Sequence, residues 1–351
     1  MLDASNIFTL LKTSEEFLSL HNIKEAKLDA EVLLCFVLNV KRSALFTMRN
    51  NTVTEEQLGI YQKCIQRRIK REPVSYITGK SEFMGLNFKV NKDVLIPRQE
   101  TELLVETASS LIKKNGCKEI LDMCTGSGCI AVSLAHENDN IFITAVDISK
   151  KALAVSSLNA EINGVASKIK FAAGDMFDNI KNQKFDIIIS NPPYITKEEF
   201  INLEKELFFE PETALVAGGD GLFFYNKIAE NAKNYLDDDG MILLELNSNI
   251  SQKIVELFEK YEFKIHDKFY SLEWINYIED VVLRQTFNNF RFKLSKMLIS
   301  YQIKDMYEDM EDSDDDEPGE TSTALELYVP VESQALIKVQ ERQIIKLEQD
   351  N

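Results

Sequence analysis

The chain reads as an α/β protein built on a mostly parallel sheet, and three observations predict this class. From about residue 117, short β-branched runs alternate with helical patterns, the order of parallel strands joined by crossover helices. The run Phe185-Asp186-Ile187-Ile188-Ile189 has the apolar density of a strand covered on both faces. The glycine-bearing turn Cys124-Thr125-Gly126-Ser127-Gly128 directly follows another such run, at the strand end where open α/β sheets bind ligands. Seven strands are expected, at 119–123, 141–146, 169–172, 185–190, 241–246, 265–270 and 279–283. Helices are expected at 129–136, 150–163, 223–236 and 251–261.

Residues 1–72 read as helices only, a small domain suited to docking a substrate. Ile7, Leu10, Leu11, Phe17 and Leu18 keep helical spacing, 26–38 forms an apolar second helix, and 43–48 a short third. Thr54 followed by Glu55, Glu56 and Gln57 carries the signature of a capped helix start. That helix closes on Lys63, Arg67, Arg68, Lys70 and Arg71, which reads either as a solvated C-terminal face or as a contact for RNA or an acidic partner. Residues 73–98 form a linker in which Glu82 to Val90 alternates around Gly85 as a hairpin would. A helix at 100–114 then leads into the strand–helix unit, 99–283. Beyond it, 284–351 is an extension with a helix fitting 287–307 and an acidic run at 309–320 that cannot bury a core and is expected to be disordered.

At 351 residues the chain has room for two domains. A net charge of −17 argues against a large nucleic-acid footprint, which needs a basic face, so no direct nucleic-acid target is expected. A monomer is expected. Five cysteines without a CxxC pair and three histidines imply a reducing compartment, no disulfide framework and no metal site. The amino terminus lacks a signal-peptide core and any membrane-length run, so a cytoplasmic location away from membranes is expected.

Ser190-Asn191-Pro192-Pro193-Tyr194 carries the sharpest chemical signal. Two prolines stop the strand, supply no N–H donors and stiffen Asn191 at the strand's carboxyl end. The resulting ledge offers the Asn191 amide, a free Pro192 carbonyl and the Tyr194 ring, a set that suits a planar –NH₂ group. Its two protons would go to acceptors and its plane would pack on the ring. Asp147 ends the next strand about twenty residues after the glycine turn, the position of an acceptor for ribose hydroxyls. Its bland alternative is an N-cap for the helix starting near Ser149. The turn lacks the third glycine that a pyrophosphate needs, so an adenosine without phosphates fits better. Asp175 and Met176 end the third strand, placed for an adenine amino group and ring, although a lone methionine is more often core.

With these residues assembled, the chain resembles the Rossmann-like S-adenosylmethionine-dependent methyltransferases. More narrowly it resembles the release factor glutamine N5-methyltransferases, through Arg71-Glu72-Pro73-Val74-Ser75-Tyr76-Ile77-Thr78-Gly79, Glu82-Phe83-Met84-Gly85, Ile96-Pro97-Arg98-Gln99-Glu100-Thr101-Glu102 and Phe209-Glu210-Pro211-Glu212-Thr213-Ala214-Leu215. The resemblance covers residues 1 to about 283. It implies S-adenosyl-L-methionine as cofactor and, as protein substrate, the peptide chain release factors, methylated at the glutamine of their Gly-Gly-Gln motif. The cofactor's methionine part would lie over Cys124, Thr125, Gly126, Ser127 and Gly128, its ribose on Asp147, and its adenine beside Asp175 and Met176. Asn191 would contact cofactor and substrate, with Pro192, Pro193 and Tyr194 completing the glutamine pocket. Cys124 departs from the family's usual glycine, and its Cβ would crowd the cofactor if the turn needs a positive φ there. Two other functions fit the residues less well: methylation of an exocyclic amine on a flipped base, and an inactive scaffold for a ribosome-associated partner.

Overall fold

The computed structural model describes residues 4–180 and 183–265, apart from the Ser248 side chain. The first elements are helical: α1 (Ile7–Leu20), α2 (Ala26–Leu38), α3 (Arg42–Thr47), α4 (Glu55–Ile69) and α5 (Val74–Thr78). Two starts are capped as their sequences require. The Asn6 side chain accepts from the Thr9 N–H at 2.8 Å, and Thr54 and Gln57 form a reciprocal capping box. Leu10, Leu18, Leu33, Leu34, Tyr61 and Ile65 interlock in one core that extends to Ile77 in α5. Inside it the Tyr61 hydroxyl donates to the Ala30 carbonyl at 3.1 Å.

The expected hairpin follows as β1 (Lys80–Phe83) and β2 (Leu86–Lys89), paired antiparallel. Its two turn residues, Met84 and Gly85, both have positive φ (50° and 69°), the condition for a two-residue turn matched to strand twist. Phe83 and Phe88 bury their rings in the core of the main sheet.

That sheet is laid down by α6 (Glu100–Asn115), β3 (Glu119–Met123), α7 (Cys129–Glu137), β4 (Phe142–Asp147), α8 (Lys150–Ile162), β5 (Ile169–Ala173) and β6 (Phe185–Ser190). Next come β7 (Ile195–Thr196), α9 (Lys197–Ile201), α10 (Glu212–Leu215), β8 (Val216–Gly218), α11 (Phe223–Asn231), β9 (Leu236–Leu244) and α12 (Ser251–Lys260). Its strand order is β5-β4-β3-β6-β9, with every pairing parallel. Connections run outward in opposite directions from β3 and β6, so the switch point, where such sheets open a ligand crevice, lies at their carboxyl ends. The turn 124–128 leaves β3 there, and the ledge 191–194 leaves β6 there.

Three expectations need correction. The sheet has five strands among the described residues, not seven, because the strands expected at 265–270 and 279–283 fall outside those residues, as do the helix at 287–307 and the acidic run at 309–320. The helix expected to reach residue 236 ends at Asn231, and β9 starts at Leu236 instead of 241. Pairing of Leu236 with Phe185 starts β9 early and leaves the poor strand formers Asp237, Asp238 and Asp239 unpaired and exposed at a register shift, before Met241 pairs with Ile187. A short parallel pair, β7 with β8, ties the residues after the ledge to Val216–Gly218 and had no signal in the sequence. Among the described residues no helix is long and apolar enough to cross a membrane.

Candidate active site

The turn after β3 is built from near neighbours. Gly126 and Gly128 have φ of 55° and 80°, and a Cβ on Gly128 would lie 2.2 Å from Ser156 Oγ and 3.2 Å from Ser156 Cα, so α7 and α8 approach at a spacing only glycine allows. Asp147 closes the turn with both oxygens: Oδ2 accepts the Gly126 N–H at 2.9 Å and Oδ1 the Ser149 N–H at 2.8 Å. Its N-cap alternative is not realised, because Ser149 itself caps α8 by accepting from the Ala152 N–H. Burial raises the Asp147 carboxyl above its ordinary range, opposed by those two N–H bonds. Asp122, fully buried beneath the turn, accepts from the Thr125 hydroxyl at 2.5 Å, while its Oδ1 has no hydrogen bond of ordinary geometry. Burial pushes its pKa up to about 7, which the Thr125 hydroxyl and the Ala131 N–H only partly offset.

Cys124 adopts the left-handed backbone with φ 59°, so the strain expected for a side chain at this position is present. Its thiol lies 3.8 Å from the Met176 sulfur, and Met176 too has a positive φ of 56°. Burial, with the Asp147 carboxylate nearby, drives the Cys124 thiol far up, which keeps it protonated at neutral pH. Asp175 is ion-paired with Lys227 of α11 at 2.6 Å, a partner no sequence signal announced.

The ledge is held from a distance. Pro192 and Pro193 are buried, whereas Asn191 and Tyr194 are half-buried. Asn191 Nδ2 donates to the Thr101 hydroxyl oxygen at 3.1 Å, and Thr101 in turn donates to Glu245 Oε2 at 2.7 Å. The Tyr194 hydroxyl donates to Glu245 Oε1 over a longer 3.4 Å. Burial raises the Glu245 carboxyl above its ordinary range. The Ser190 hydroxyl donates to the Met123 carbonyl at 2.6 Å, which ties the root of the ledge to the strand carrying the turn.

The motifs that carry the resemblance converge on this end of the molecule. Glu210 accepts from the Ile96 N–H at 3.0 Å and pairs with Arg98 at 2.5 Å, joining the Ile-Pro-Arg segment to the Phe-Glu-Pro-Glu segment. Arg68 of the basic cluster is not a solvated face. It is 8% exposed and bonds Asp29 at 2.7 Å and Glu206 at 3.0 Å, so α4 is bound to the turn that precedes Glu210. Arg71 reaches the same Glu206 at 3.1 Å, and Lys24 pairs with Glu204.

All the sequence-predicted site residues therefore lie along the carboxyl ends of β3, β4, β5 and β6. The residues that sequence reasoning missed are Asp122, Thr101, Glu245, Asn159 and Lys227. Glu245 was legible: an acidic residue closing an apolar strand is the same signal that singled out Asp147. Asn159 was legible as a large polar residue on the buried face of α8 among Ala152, Val155, Ser156 and Ala160; its amide donates to the Lys89 and Ser127 carbonyls at 3.0 and 2.8 Å.

Residues 9–79 match the PrmC N-terminal domain family, and residues 99–230 match the Methyltransferase small domain family. A release factor glutamine methyltransferase of Clostridium acetobutylicum is 39% identical over 238 residues, covering 67% of this chain and 84% of that protein. One from Leptospira interrogans is 40% identical over 73% of this chain and 90% of that protein. A bifunctional methyltransferase of Rickettsia typhi is 33% identical over 85% of this chain, which spans only 61% of that longer relative. With nine-tenths of a 40%-identical relative covered, the chain belongs to the release factor glutamine methyltransferases.

Proposed function

We propose that the chain transfers a methyl group from S-adenosylmethionine to the side-chain amide nitrogen of the release-factor glutamine, with the turn 124–128 holding the cofactor and the ledge 191–194 holding the glutamine. The turn's chemistry fits this cofactor. Residues 122–128 include no lysine or arginine to attract a phosphate, and they face the carboxylates of Asp147 and Asp175 and the sulfur of Met176. A Cβ on Gly126 would meet only the Cys124 carbonyl oxygen, at 3.9 Å, so this part of the turn has space for a ligand. Asp147 has acceptor positions beyond the two N–H bonds it makes, enough for ribose hydroxyls. Asp175 would serve the adenine amine while sharing its charge with Lys227.

S-adenosylmethionine, when bound, supplies a methyl group already activated as a sulfonium with a neutral leaving group. An amide nitrogen is a weak nucleophile because its lone pair is delocalised into the carbonyl. Asn191 Oδ1 and the Pro192 carbonyl accept the two amide protons and hold the nitrogen in line, while Tyr194 packs on its plane. Positioning of this kind is worth several kcal/mol of barrier. The observation that carries the proposal is the place of Asn191: it stands at the switch point beside the turn, and its Oδ1 accepts no hydrogen bond from any described residue. The helical segment 1–72 docks the release factor, a role supported by the Arg68–Glu206 and Arg71–Glu206 bonds that seat it beside the ledge's loop.

Asn191→Ala removes the acceptor and leaves both prolines. Single-turnover methylation of a purified release factor is expected to fall about 10²-fold, with release-factor affinity unchanged. A Gln→Ala release factor serves as the blank. Wild-type rates in Asn191→Ala would refute the role of Asn191, and methylation of the blank would refute the substrate.

A further inference from the structure

An ionised carboxylate only accepts hydrogen bonds, and Glu245 lies beneath both polar residues of the ledge. Its Oε2 takes the single proton of the Thr101 hydroxyl at 2.7 Å. The Thr101 oxygen is then left with lone pairs alone, so its partner on the other side must be a donor. That partner is the Nδ2 of Asn191 at 3.1 Å. With the amide turned over, Asn191 Oδ1 would face the Thr101 oxygen with no proton between them, and this hydrogen bond would be lost. The direction of donation, set at Glu245, is thus transmitted through Thr101 to the amide.

We infer that Glu245 is a positioning residue for methyl transfer, acting through Thr101 to hold the Asn191 amide with its Oδ1 turned toward the acceptor glutamine. The inference rests on the proposed role of Asn191. Three further contacts separate Glu245 from a polar filler. Its backbone is anchored on both sides: the Tyr225 hydroxyl donates to its carbonyl at 2.9 Å, and its own N–H donates to the Ser190 carbonyl, one residue before Asn191, at 3.0 Å. Its second carboxylate oxygen receives the Tyr194 hydroxyl, so one carboxylate is shared by both side chains that would grip the amide. Thr101 is 2% exposed, so no bulk water competes for its hydroxyl.

The test compares Thr101→Val, which keeps the shape and removes the relay, with Thr101→Ser, which keeps the hydroxyl, and with Glu245→Gln, which can donate as well as accept. At saturating release factor and cofactor, Thr101→Val is expected to slow single-turnover methyl transfer about tenfold or more, with half-saturating concentrations within about twofold of wild type. Thr101→Ser restores the rate, and Glu245→Gln falls between, because its amide permits both directions of donation. A second readout needs no turnover. In the cofactor-free protein labelled at asparagine, the Asn191 side-chain NH₂ signal is expected to shift and exchange faster in Thr101→Val and Glu245→Gln, and to stay in place in Thr101→Ser. Full activity in Thr101→Val, a loss confined to half-saturation or to thermal stability, or an unmoved Asn191 signal would overturn the inference. If wild-type protein fails to methylate the release factor, the functional proposal fails whatever the variants do, and a role in catalysis for Glu245 falls with it.

Discussion

Two threonine hydroxyls donate to two carboxylates, one fully buried and one partly buried, one pair under each side of the crevice. Under the turn, Thr125 donates to Asp122 three residues away; under the ledge, Thr101 donates to Glu245 across 144 positions. Burial raises both carboxyls. Yet the first pair is made within one strand and its turn, and the second exists only when the start of α6 is brought against the end of β9. The cofactor side is therefore assembled largely from local geometry, whereas the acceptor side depends on the whole sheet having closed. The contrast teaches that similar polar bonds can answer to different parts of the fold: one to backbone conformation, the other to tertiary registration.

The hardest way to break the local side is Gly128→Ala. Its φ of 80° disfavours any Cβ, and the Ser156 backbone and side chain occupy the space that Cβ needs. A loss of about 3–4 kcal/mol is expected, from left-handed strain plus overpacking. Urea denaturation would measure it, and stability within 1 kcal/mol of wild type would mean that α7 and α8 can separate at little cost.

Asp122→Asn sharpens the comparison through pH. The folded pKa of about 7 lies above the unfolded value near 3.9, so the folded state keeps a proton that the unfolded state gives up. Stability from this group is full below about pH 4 and is lost as pH rises to about 7, on the order of 4 kcal/mol in all. Asn mimics the protonated acid without titrating. Urea unfolding across that range should therefore show a flatter profile for the variant, and parallel profiles would remove Asp122 from the linkage.

The smallest effect is expected at Asp147. Asp147→Ala should weaken S-adenosylmethionine binding by about 1.5–3 kcal/mol, the range for hydrogen bonds to a charged group. Because Asp147 also holds the Gly126 and Ser149 N–H groups, the thermal midpoint without cofactor should fall as well. Calorimetric titration checks the first effect. An unchanged affinity alongside a lowered midpoint would assign Asp147 to the turn alone.

The sequence by itself determined the parallel α/β class, the five strands of the main sheet apart from the start of β9, the capped start of α4, the hairpin at Gly85 and the places of Cys124–Gly128, Asp147 and Asn191. Each of these is written in a short window: burial periodicity, a cap, a glycine where φ must be positive, or a proline that ends a strand. Tertiary structure alone decided the partners. Arg68 looked like part of a solvated cationic face until Asp29 and Glu206 were brought to it. Asp175 was read only against an adenine amine until α11 delivered Lys227. Leu236 joined the sheet because Phe185 lay beside it, against the propensity of the aspartates that follow. Glu245 and Thr101 gave no sign of each other, since a hydrogen bond across 144 residues leaves no periodicity to read. Local conformation depends on neighbours within a few residues, whereas a buried polar bond depends on which distant segments the core places in contact.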